Sequence, residues 1–130
     1  VRPVHWIVDG MNVIGSRPDG WWRDRRAAMV QLVDRLERWA SIEKVRVTVV
    51  FEAPTTPLIE SSIIGVTHAP ESAPNSADDE IIRLLDGDPD PSGVTVATSD
   101  RGLAERVRAT GAHVHPASGL RHLLDDLAGP

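Results

Sequence analysis

The sequence predicts an α/β fold, a mainly parallel sheet covered by helices on both faces. Three observations carry that prediction. Short, mostly apolar and β-branched runs recur along the chain (VHWIVD, VRVTVVF, SIIGVTH, VTVAT). Segments with apolar residues at helical spacing alternate with them, the order of a doubly wound sheet. Clusters of Gly, Pro, Asp and Ser punctuate the boundaries. With 130 residues, the chain suits one domain over 1–130 with a single sizeable core.

Residues 4–9 make the first strand, and a loop rich in Gly, Pro and Asp follows. Met29, Leu32, Val33, Leu36 and Ala40 share one face of a helix expected over about 23–40. Residues 45–51 are β-branched and apolar, hence the second strand. The proline-bearing loop EAPTTPLIES leads to a third strand over 62–68. Between Phe51 and Ser62 there are barely enough residues for a parallel crossover, and no helical pattern, so this strand is antiparallel or its crossover irregular. A polar loop (APESAPN) precedes a helix over about 77–86, and DGDPDPSG is a turn. A fourth strand over 94–98 leads to a helix over 101–110 built on Leu103, Ala104 and Val107. A short strand (AHVH) and a last helix carrying Leu120, Leu123, Leu124 and Leu127 complete the fold.

Composition narrows the function. The chain is 41% hydrophobic and 25% charged, which reads as soluble and globular. No apolar run approaches the roughly 20 residues that cross a bilayer, and the first residues carry no signal-peptide pattern. No membrane partner and a cytoplasmic location are therefore expected. The absence of cysteine excludes disulfides and thiolate metal sites. A net charge of −5 argues against non-specific, whole-surface binding to nucleic acid. The charge is unevenly placed: residues 71–100 hold eight acids against Arg83 alone, whereas Arg17, Arg23, Arg25 and Arg26 crowd a short segment. An acidic focus beside a basic lip suits a metal-dependent enzyme acting on a polyanion.

Ligands of open α/β sheets collect outside the carboxyl ends of the strands, where strand order reverses. Strand one ends at Asp9, strand two at Glu52, strand three at His68, and strand four with Thr98, Ser99 and Asp100. The helix after strand three starts with Asp78, Asp79 and Glu80. Carboxylates gathered in one cleft repel each other and resist desolvation unless a cation compensates them. Mg2+ fits, because it takes one or two carboxylates, keeps several waters and bridges to substrate phosphate. It would polarise a phosphodiester and activate a water, with a second ion open for the leaving oxygen. Spacings typical of a tightly held transition metal are absent.

Each residue also has a plainer reading. Asp9-Gly10 can be a simple turn. Ser76, three residues before Asp79, makes a capping-box-like pair with it, which leaves Asp78 the better ligand and Glu80 facing solvent or supporting the ligands. Asp100 or Ser99 can cap the helix that begins near Arg101. Glu52 is as readily a loop acid, and Asn12 either fixes the turn or holds Asp9 or a phosphate oxygen. Trp21 and Trp22, beside the arginines of GSRPDGWWRDRR, can stack on bases while guanidinium groups meet phosphates. One of the two is expected to be buried as core. Arg101, at a helix start, is a candidate phosphate contact. A phosphatase-like hydrolase with Asp9 as nucleophile would want an acid two residues on, where Met11 stands.

Taken together, IVDGMNVIG, VTVVFEA, NSADDEIIRLL and VTVATSDRGLAERVRATGAHV resemble the NYN domain, particularly its YacP-like branch within the PIN-like ribonuclease superfamily. The resemblance covers nearly the whole chain, in order. It implies a three-layer α/β/α sandwich, PIN-like and Rossmann-like, whose acids bind Mg2+ or Mn2+ and cleave RNA. Residue by residue, it implies Asp9 and Asn12 as the first-strand acid and amide, Asp78 as the helix-start acid, and Ser99-Asp100 as the pair after the fourth strand. Two positions depart from it. Glu52 stands where similar sequences often carry Asp. Ser-Asp-Arg replaces the Ser-x-Asp-x-Asp of other NYN branches, which implies weaker metal binding or a single ion.

The expected function is that of a metal-dependent ribonuclease, an endonuclease, with Asp9, Asp78 and Asp100 as catalytic ligands of Mg2+ or Mn2+. Asp79 and Glu52 are possible further ligands. Asn12 and Ser99 would orient the acids or the scissile phosphate, and Arg101, Arg23, Arg25, Arg26 and Trp22 would contact RNA. RNA is the expected partner, while a homo-oligomer or a ribosomal or RNA-processing partner stays open. The alternative is a non-catalytic RNA-binding NYN module with a degenerate metal site.

Overall fold

Alternate residues of a strand face opposite sides of its sheet, and here the two faces carry two separate cores. The structure, a computed structural model, describes residues 4–70 and 75–127. Strands β1 (His5–Asp9), β2 (Arg46–Phe51), β3 (Gly65–His68), β4 (Val94–Ala97) and β5 (His113–His115) pair in the order β3-β2-β1-β4-β5. Every pairing is parallel. The helices are α1 (Gly10–Ile14), α2 (Arg25–Glu43), α3 (Ser76–Asp86), α4 (Arg101–Ala109) and α5 (Ala117–Leu127). On one face Val8, Val49 and Phe51 pack against Val13 of α1, Leu36 of α2 and Leu120 of α5. On the other, Ile7, Val50 and Val96 pack against Ile81 and Leu85 of α3 and Leu103 of α4. The result is the three-layer α/β/α sandwich.

The third strand is parallel, and its crossover is the irregular one. No helix forms over 52–64; instead Ile59 and Ile64 are buried in the α2-side core. The strand is shorter than its apolar run because the Ser61 hydroxyl accepts from the N–H groups of Ile63 (3.0 Å) and Ile64 (3.1 Å), which holds them in a bend. The same hydroxyl donates to Glu37 Oε2 at 2.6 Å. The expected loop after β1 is partly helical, since α1 buries Val13 and Ile14. A 3-10 turn at Trp21–Arg23 precedes α2, whose start is set by Asp24, accepting from Ala27 N at 3.0 Å.

Ser76, expected as the N-cap paired with Asp79, is instead the first residue of α3. Asn75 is the N-cap of α3, in the left-handed region (φ 65°) that Asn tolerates, and its carbonyl accepts from Asp79 N at 2.9 Å. Residues 71–74 of the expected polar loop lie outside the described residues. Among the described residues, no helix is long and apolar enough to cross a membrane.

The chain runs outward from β1 through β2 to β3, then returns to the other side of β1 for β4 and β5. Strand order therefore reverses between β1 and β4, and a crevice opens at their carboxyl ends.

Candidate active site at the switch point

Asp9 ends β1 and Thr98 follows β4, so the two meet across the crevice. Thr98 Oγ1 donates to Asp9 Oδ2 at 2.8 Å and accepts from Asp100 N at 3.1 Å. Asn12, in α1, uses its side-chain oxygen to accept from Ser99 N at 2.8 Å. Ser99 Oγ in turn accepts from Ala117 N, the first residue of α5, at 3.0 Å. These bonds stitch the end of β1, the loop after β4 and the start of α5 into one unit. Asp100 Oδ1 accepts from Leu103 N at 2.9 Å, so Asp100 caps α4 and lines the crevice at once.

Asp9, Asp78, Asp100 and Glu52 line one open cleft of about 520 Å³, together with Asn12, Trp21 and Arg25. Asp9 is only 7% exposed. Burial pushes its carboxyl from 3.8 up to about 6; the Thr98 hydrogen bond opposes the rise, and Asp78, Asp100 and Glu52 add to it. Asp78 is raised as well, first by burial and then by Asp100, against the pull of Arg106. The acids thus share an electrostatic field. They do not form a closed cage: among the described residues, no three His, Cys, Asp or Glu side chains are grouped closely enough to hold an ion by themselves.

Other residues of interest are placed elsewhere. Asp79 pairs with Arg106 at 3.1 Å and does not line the cleft. Glu80 is buried, not solvent-facing, and its Oε1 accepts from Arg83 Nε at 2.9 Å. The basic lip is thinner than the sequence implies. Arg17 pairs with Asp125, and Arg26 Nη1 donates to the Pro57 carbonyl at 2.8 Å. Arg23 and Arg101 are exposed and outside the cleft lining. Arg25 remains, lying over the Trp21 ring at 5.5 Å. Neither Trp is fully buried: Trp21 is partly buried and lines the cleft, while Trp22 is 52% exposed and meets Trp21 edge-on at 5.9 Å. His68 packs on Phe51, and burial pushes its pKa down.

Thr98 is the residue whose importance the sequence conceals. Its only local signal is a hydroxyl ending a buried strand directly before Ser99-Asp100. Thr98→Val keeps the shape and removes both hydrogen bonds. It is expected to cost about 1–3 kcal/mol in urea unfolding and to move the Asp9 titration further upward in a carboxyl NMR experiment. An unchanged Asp9 titration would show that the hydroxyl does not govern that carboxylate.

The family model of the YacP-like NYN domain matches residues 6–128. The fold and the match define a member of the PIN-like nuclease branch. The chain belongs to the YacP-like NYN domain family. Two crystal structures are similar to it along most of their length. Rae1 (YacP) from Bacillus subtilis is 25% identical with a TM-score of 0.75, covering 95% of this chain and 74% of that one. A tryptophan-to-leucine mutant of Rae1 is 26% identical with a TM-score of 0.79, covering 95% and 76%. No match was found among curated protein sequences.

Proposed function

We propose that the protein is a metal-dependent ribonuclease, an endonuclease that hydrolyses RNA phosphodiester bonds in the cleft at the ends of β1 and β4. The observation that carries this reading is Asp9, a buried carboxylate raised to about 6 and facing three more carboxylates at the switch point. A divalent cation is what would reverse that unfavourable balance. The donor set is all oxygen and spread over an open cleft, which fits a hard ion that keeps several waters.

Asp9, Asp78 and Asp100 would hold Mg2+ or Mn2+, with Glu52 at the exposed rim and Asp79 available only by leaving Arg106. When bound, such an ion supplies a polarised phosphodiester and a water of lowered pKa. The chain's own residues fix the geometry. Thr98 holds one oxygen of Asp9, and Asn12 holds the backbone of the loop that carries Asp100. Ser99 serves that loop through Ala117 N. Trp21 offers an indole to a base, and Arg25, stacked on it, offers a guanidinium to phosphate. Arg23, Arg26, Arg101 and Trp22 would meet flanking RNA.

Purified protein with Mn2+ or Mg2+ is expected to cut RNA internally, and EDTA to stop it. Asp100→Asn should lower kcat/KM on the order of a hundredfold. No cleavage with either ion, and an Asp100→Asn variant indistinguishable from wild type, would end the reading. RNA binding that survives chelation without any cleavage would select a non-catalytic RNA-binding module instead. The engagement of Asp100 as the cap of α4 is the observation on that side.

A further inference from the structure

Trp21 also lines a second cavity, of about 290 Å³, between the start of α2 and α5. Buried Ile14, Leu32 and Leu124 give it apolar walls. Its polar groups include Arg121, which is only 8% exposed. Arg121 Nη2 donates to Asp19 at 2.6 Å, and Nη1 reaches the carbonyls of Val13 and Ile14 only at 3.5 and 3.4 Å. Its Nε–H is buried with no hydrogen-bond partner among the described residues. A guanidinium N–H withdrawn from water and left without an acceptor is costly, so the Asp19 carboxylate, its close acceptor on Nη2 and a wall of the same cavity, is what holds Arg121 in place.

The chemistry of the walls selects the guest. Asp19 and Asp24 balance Arg35 and Arg121, so the cavity offers a bare phosphate no net attraction. An indole, an apolar lining and a mixture of donors and acceptors fit a flat heterocycle that carries both. The volume lies at the low end for small-molecule sites, room for one ring system rather than a length of strand. The cavity is held open beforehand, because Asp19–Arg121 and Arg17–Asp125 pin the preceding loop to α5.

We infer that this cavity is a base-recognition pocket, which takes one nucleobase of an RNA whose neighbouring phosphate lies in the acidic cleft. The base stacks on Trp21 and presents its polar edge to the Gln31 amide and the Asp19 and Asp24 carboxylates of the wall. The inference rests on the ribonuclease reading, since Trp21 is the wall common to the two cavities.

The test is binding of short oligoribonucleotides of A, C, G or U, and of an abasic one, to protein in EDTA, read by fluorescence anisotropy. One base is expected to bind about tenfold tighter than the abasic chain. Ala28→Leu, which fills the cavity, should bring that base down to the abasic level, and Ala27→Leu, on the exposed side, should act in the same direction. Thermal melts establish that both variants are folded. Equal binding of all five oligonucleotides, or a base preference that survives in both folded variants, overturns the pocket. Cleavage with Mn2+ is measured on the same wild-type protein. Base preference without cleavage sinks the nuclease reading and leaves the pocket, whereas cleavage without base preference sinks the pocket alone.

Discussion

Asp9→Asn is expected to remove metal-dependent cleavage, on the order of a hundredfold or more, while making the metal-free protein more stable at neutral pH. The amide oxygen of asparagine can still accept from Thr98, so the shape of the site survives. The charge does not. In the folded protein the Asp9 carboxyl is raised from 3.8 to about 6, chiefly by burial. A raised carboxyl means that the folded state holds the proton more tightly than the unfolded chain does. Its ionisation therefore opposes folding increasingly as pH rises from about 4 to about 6, and by a constant amount above that. A shift of about two units corresponds to about 3 kcal/mol. Urea unfolding at pH 8 should show Asp9→Asn more stable than wild type by up to that amount, with the gap closing below pH 4. Added Mn2+ should stabilise wild type above pH 6 and leave the variant unaffected. A variant that still cuts RNA, or one whose stability follows pH as wild type does, would contradict the role given to Asp9.

Gly10→Ala should be the most damaging single methyl in the site. A Cβ at this position would lie 2.7 Å from two ring carbons of Phe51 and 3.0 Å from the Val50 carbonyl. Phe51 is fully buried in the α2-side core, so the ring cannot turn away freely. The added methyl must push β1 and α1 off β2. That overpacking is expected to cost about 1–3 kcal/mol and to shift Asp9 and Asn12 from Thr98 and Ser99. Activity should fall with stability, unlike the Asp9→Asn variant, in which the two part company. Gly102→Ala is the control, because its Cβ would meet Asp100 Oδ1 at an ordinary 3.5 Å and the position is helical. A small gain in stability is expected there. Equal unfolding curves for Gly10→Ala and wild type would show that the close approach is not needed.

Gly10 also shows how a local reading can single out the right residue for the wrong cause. Asp-Gly after a strand reads as a turn that uses glycine's access to positive φ. In the fold Gly10 opens α1 and is not among the positive-φ glycines, which among the described residues are Gly20 and Gly111. Its requirement is space beside Phe51, a residue far away in sequence. Periodicity could not reveal α1, since five residues carry little more than one helical turn. Nor could it separate Trp21 from Trp22; the 3-10 turn that starts at Trp21 sends one indole toward the cleft and leaves the other in solvent.

The sequence by itself determined the alternation of strands and helices, the mainly parallel character of the sheet, with the direction of β3 left to the structure, and the acids at the strand ends. Those features are local: β-branched apolar runs, helical spacing, and a polar residue where a buried run stops. The tertiary structure alone decided partners. It gave Arg17 to Asp125, Arg26 to the Pro57 carbonyl, Asp79 to Arg106 and Arg121 to Asp19, and so reduced an apparent basic lip to Arg25 over Trp21. It also set Thr98 against Asp9, 89 residues apart in the chain. Such choices depend on which layers the strand order brings together, and a hydrogen bond or ion pair formed between distant segments leaves no periodic trace in either of them.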